Sequence, residues 1–143
     1  MPANTEIVVA PGPEGLHAEA VFDLSEAEVA AVDAAVAHYR RRRFARSELD
    51  AKETLAMREV GVLADALDDL AAAGGHAVVR VGTDEAAALV EAARTYLDER
   101  DTESYQSPEE RDRLAALGTL VDPLAALEDE LRAAARRLAA ESN

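Results

Sequence analysis

His17–Val32, HAEAVFDLSEAEVAAV, is the stretch that decides the fold. Its first half alternates. Ala18, Ala20, Phe22 and Leu24 fall on one side, Glu19 and Asp23 on the other. That is the period of a strand with one face buried. At Ser25 the period changes. Ser25 and Glu28 form a capping box, in which the hydroxyl accepts one orphan helix N–H and the carboxylate reaches back to another. Val29, Val32, Val36 and Tyr39 then recur at steps of three and four, the mark of an amphipathic helix. A strand that hands directly into a capped helix sets the pattern for the rest of the chain.

Toward the N-terminus, TEIVVA (Thr5–Ala10) is a short apolar run, and PGPEG (Pro11–Gly15) is dense turn chemistry. Together with His17–Leu24 this predicts a β-hairpin over residues 1–24, with a loosely tethered arm as the alternative. Toward the C-terminus, no proline or glycine occurs between Leu16 and Val60. Residues 25–73 are expected to form a helical pair, one helix ending near Phe44 and the next running from about Glu48 to Ala73, with a weaker cap at Ser47 and Asp50. A single helix across the whole segment is the alternative; it would reach roughly 70 Å, which suits only an extended dimer. Ala56, Val60, Leu63, Leu67 and Leu70 follow the 4-3-4-3 spacing of a helix seam, and Gly74 and Gly75 end it.

HAVVRVG (residues 76–82) reads as a third short strand, with Val79 and Val81 on one face and Arg80 on the other. Thr83 is expected to cap a helix whose Leu89, Val90, Ala93 and Leu97 face inward, so residues 76–100 form a strand plus a helix. SPEE (Ser107–Glu110) is a strong helix start, with proline at the first helical position and glutamate at the third. The apolar stripe Leu114, Leu117, Val121, Leu124, Leu127, Leu131 and Leu138 marks C-terminal helices over residues 107–141, with a new helix expected at Pro123. The strand, cap and Ala/Val helix of residues 20–36 are echoed at residues 78–94. An internal repeat and an ordinary strand-to-helix junction both account for that echo.

The predicted fold is therefore mainly α: a four- to five-helix bundle in a single domain (residues 1–143), with a small N-terminal β-hairpin and the third strand at residues 76–82. At 143 residues the chain can bury about 68–70% of its unfolded surface. Its hydrophobic fraction of 49% argues against disorder. Phe22, Tyr39, Phe44, Tyr96 and Tyr105 are its only aromatic residues, so the core must be aliphatic and alanine must bring helices close together. With no cysteine, disulfides and thiolate metal sites are excluded.

No secretion signal and no membrane-length apolar run is visible, and a cytoplasmic location is expected. The net charge of −14 repels nucleic acid and anionic membranes on average. Against it stand Arg40, Arg41, Arg42, Arg43 and Arg46, a third of the 15 basic residues, gathered at the end of the first helix. Four consecutive helical residues fan over about 300° and cannot share one face. Cations at a helix C-terminus offset its dipole, and acidic neighbours such as Glu48, Asp50, Glu53 and Asp98–Glu103 offer internal partners.

The functional alternative makes these five arginines an anion- or partner-binding site, since guanidinium groups fork onto oxyanions and Tyr39 and Phe44 are suited to stacking. His17, His38 and His76 are scattered. Glu14 and His17 lie three apart beside Pro13 and Gly15, where no helix is expected to turn that spacing into a metal site. Asp65–Asp69 and Glu128–Glu130 read as solvated faces. No phosphate-cradling loop, serine elbow or zinc pattern occurs, and no catalytic residue, metal or cofactor is implied. The functional expectation is a small acidic regulatory or adaptor protein, non-enzymatic, acting through protein–protein contacts as a homodimer. A binder of nucleic acid or of a phosphate-bearing ligand through Arg40–Arg46 is second, and an enzyme assembled without a local motif is third.

Overall fold

The structure is a computed structural model and describes residues 2–13, 15–44, 51–100 and 105–141; the side chains of residues 43, 44, 51–57 and 59 fall outside that description. Along the chain run β1 (Ala3–Gly12), β2 (Gly15–Leu24), α1 (Glu26–Phe44), α2 (Ala51–Ala73), β3 (Ala77–Val81), α3 (Thr83–Arg100) and α4 (Pro108–Glu141). The described chain is thus mainly helical, with four helices and one antiparallel sheet in the order β1-β2-β3.

The hairpin forms as the turn chemistry predicts. β1 and β2 pair from Gly12 against Gly15 back to Ala3 against Asp23. The register slips between Ala3 and Glu6, where Asn4 adopts a left-handed φ of 52°; asparagine tolerates that region better than most residues. Asn4 also donates to Asp23 at 2.5 Å, which pins the irregular end to the neighbouring strand. β3 then extends the hairpin. It pairs antiparallel with β2 from Ala20 against Val81 to Leu24 against Ala77.

Opposed residues of an antiparallel pair share a face, so Ala20, Phe22 and Leu24 line up with Val81, Val79 and Ala77, and all six are buried. Val78 and Arg80 point the other way and are exposed. The helices cover the apolar face. α1 lies at the centre and packs against α2, α3, α4 and β2, while α4 runs along both α3 and β2. One hydrophobic cluster joins β2, β3 and all four helices.

Local signals account for the helix boundaries. At α1, the Ser25 N–H donates to Glu28 Oε1 at 2.8 Å and the Glu28 N–H donates to Ser25 Oγ at 3.3 Å, which is the expected box in both directions. At α4, the Glu110 N–H donates to Ser107 Oγ at 3.1 Å. α2 ends where Gly74 and Gly75 take φ of 73° and 77°, values that strain any side chain. α1 and α2 pack on each other as two separate helices. The expected cap at Ser47 and Asp50 lies outside the described residues.

Two expectations are corrected. The cap of α3 is Gly82, not Thr83: the Gly82 N–H donates to Glu85 Oε1 at 3.0 Å, and the Gly82 carbonyl accepts from the Ala86 N–H. Nor does Pro123 start a new helix, since α4 continues through it for 34 residues, about 51 Å. Leu117, Leu120, Leu124, Leu127 and Leu131 are all buried on one face of α4. A break would throw the two halves of that stripe out of phase. Continuous burial therefore outweighs the hydrogen bond that proline removes, a local cost of about 3 kcal/mol.

Candidate interaction site

Arg40, Arg41, Arg42 and Arg43 lie at the C-terminal end of α1, and the structure divides them. Arg40 Nη1 lies 3.4 Å from Asp65 Oδ1 on α2. Its guanidinium also covers Gly61, where an added Cβ would meet Arg40 Nη2 at 3.6 Å. Arg42 Nε lies 2.9 Å from Glu99 Oε1 on α3. Arg41 is exposed. The side chain of Arg43 and the whole of Arg46 lie outside the described residues. Among the described side chains, Arg40 and Arg42 are therefore held against this chain's own carboxylates, the latter by Glu99 within the acidic stretch at the end of α3.

Glu99 is shared. Its other oxygen, Oε2, lies 2.5 Å from His38 Nε2. The His38 ring meets Tyr96 edge-on at a centroid distance of 5.6 Å, and the Tyr96 hydroxyl donates to both oxygens of Glu110 at 2.8 Å. Burial and the Glu110 carboxylate both push the Tyr96 hydroxyl's pKa upward. A line of polar groups thus ties the end of α1 to α3 and to the start of α4. It rigidifies a helix junction.

A second buried polar feature escaped the sequence pattern. Asp33 on α1 contacts Asp68 on α2, and its pKa is raised to about 7 by burial first, then by the hydrogen bond and charge of Asp68, against a small opposing pull from Arg113. Its Oδ1 is buried without a hydrogen-bond partner. The available signal was position: Asp33 falls four residues after Val29, on the flank of the apolar stripe. Among the described residues no group of three or more His, Cys, Asp or Glu is placed to hold a metal, and no helix is long and apolar enough to cross a membrane.

A concavity lies elsewhere. A cleft of about 750 Å³ opens between the start of β2, α2, the β3–α3 junction and the end of α4. Its walls include the large apolar side chains Leu16, Val62 and Leu138, and Leu16 and Val62 are 67% and 68% exposed. Arg58, Glu19, Asp84 and Glu85 supply charge around it. Glu19 is engaged on the outer face of the sheet, 2.7 Å from Arg80 Nε and 2.9 Å from His17 Nε2; the Arg80 bond leads the lowering of its pKa. Sequence periodicity marks Ala18 and the residues after it as a buried face. It gives no sign that β3 stops short of Leu16.

Among the described residues the sheet ends at β1, its outer strand. This edge strand is ten residues long, and Glu6 is its only charge. Val9 pairs with Ala18 on the helix-facing side, yet it is 54% exposed. No known protein family, characterised protein sequence or solved structure matches the chain.

Proposed function

We propose that the chain is a non-enzymatic cytoplasmic regulatory or adaptor protein that acts through protein–protein contacts as a homodimer. The observation that supports it best is the β1 edge. Soluble proteins guard a long edge strand with lysine, proline, inward charge, a bulge, a covering loop or brevity; in β1 the one proline, Pro11, stands at the turn end. Here the central run Ile7–Ala10 carries no charge, and the one irregularity lies at the far end beside Asn4. In a chain of net charge −14, a nearly neutral edge is the place where two copies meet with least repulsion.

An antiparallel β1–β1 contact about a two-fold axis at Val8 would set Ile7 against the partner's Val9, and Glu6 against the partner's Ala10. It would join the sheets of two copies and keep the like charges apart. Light scattering on the intact chain tests this: the expected mass is twice 15.2 kDa, and Val8→Lys should halve it. A single-chain mass across the micromolar range would refute the homodimer.

The second reading, an anion site at Arg40, Arg41, Arg42, Arg43 and Arg46, draws support from the exposure of Arg41 and loses it from the carboxylates already on Arg40 and Arg42. Titration of duplex DNA, RNA and polyphosphate at two salt concentrations discriminates the readings, because phosphate binding by arginine must weaken steeply with salt.

A further inference from the structure

Leu16–Glu19 pair with Val8–Pro11 of β1 on one side only. On the other side β3 pairs with β2 no further than Ala20, because the chain turns at Gly82 into α3. Among the described residues, the backbone hydrogen bonds outside helices and strand ladders lie at helix ends. The outward-facing amides and carbonyls of Leu16–Glu19 are thus an open edge. This edge borders the 750 Å³ cleft, beside Val62 of α2 and Ala135, Leu138 and Ala139 of α4.

β3 shows what such an edge accepts. Its Val79 and Val81 point into the core, while Arg80 points outward and bonds Glu19. The cleft repeats that demand. Leu16, Val62, Leu138 and the two alanines offer an apolar floor. With Glu19 already carrying Arg80, Asp84 and Glu85 still outnumber Arg58, the one arginine among the lining residues.

We propose that the cleft takes an extended peptide segment of another protein, alternating apolar and basic residues, which adds to Leu16–Glu19 as a short strand in line with β3. Strand addition suits the site because main-chain bonds supply affinity and alternate side chains supply selectivity. The proposal uses the opposite side of β2 from β1 and stands apart from the homodimer.

The probe is a fluorescein-labelled pentapeptide, AVVRV, titrated by anisotropy against the full chain. Saturable binding is expected. Val62→Glu and Ala139→Trp, at two exposed positions, should each weaken it at least ~10-fold, equivalent to about 1.4 kcal/mol. AVPRV should not bind, because proline removes a strand N–H, and AVVEV should bind several-fold more weakly. Val8→Lys should leave the affinity unchanged, even where it changes the mass. No saturation by millimolar protein would overturn the proposal, as would binding that survives either cleft substitution or disappears with Val8→Lys. Equal affinity for AVVEV would overturn the basic character assigned to the partner.

Discussion

The two halves of β2 have the same alternating pattern and opposite fates. Ala20–Leu24 are flanked by β1 on one side and β3 on the other, and their inward side chains are sealed; Phe22 is 0% exposed. Gly15–Glu19 have a strand on one side only; Ala18 is still buried beneath the helices, but Leu16, on the same face as Phe22, stands largely in solvent. The difference is made by the length of β3, five residues against ten in β2. An alternating strand announces which face is apolar, but its neighbours determine how much of that face is closed.

Four substitutions test the contrast between the two halves. Phe22→Ala removes the largest side chain of the sealed half and should cost about 3–5 kcal/mol, read as a fall in the denaturant midpoint. Leu16→Ala in the open half should stay within about 0.5 kcal/mol of wild type; equal losses at the two positions would erase the distinction.

Asp33→Asn probes a half-buried carboxyl in the helical layer. Folding raises the Asp33 pKa to about 7 from 3.8. The stability it contributes is therefore full below pH ~4 and is lost as pH climbs toward 7, since the unfolded chain releases its proton first. The variant should gain on wild type across that window and then level off. The gain, discounted for solvent screening at a partly exposed site, is on the order of 1–2 kcal/mol. A constant offset between pH 4 and 8 would contradict this assignment. A loss of about 1 kcal/mol, larger only than that at Leu16, is expected for Ser25→Ala, which removes the cap where the sealed half of β2 enters α1; thermal melts would register it as a lowered midpoint.

The elements were legible wherever a local rule and the global packing agree. The Ser25–Glu28 box, the Gly74–Gly75 stop and the alternation of Ala18–Leu24 each predict what forms. Pro123 misled because its backbone penalty is local, while the stripe from Leu114 to Leu131 is one surface buried as a unit. Thr83 misled by its side chain, because the cap is made by the backbone of Gly82 with Glu85.

The candidate surfaces were least legible. Nothing in AVVRV states where pairing with β2 stops, and the cleft gathers residues from four separated segments. Glu99 lies within the acidic stretch flagged as a distant partner for the arginines. That it takes both Arg42 and His38 depends on how α1 crosses α3, which no spacing in the sequence encodes.

Residue-resolved amide hydrogen exchange on the intact protein tests most directly whether β2 is sealed along one half and open along the other. Slow exchange is predicted throughout Ala20–Leu24, with rapid exchange at those amides of Leu16–Glu19 that turn away from β1. Uniform protection from Leu16 to Leu24 would mean that the open edge is already closed, and the account of β2 as a half-occupied strand would be wrong.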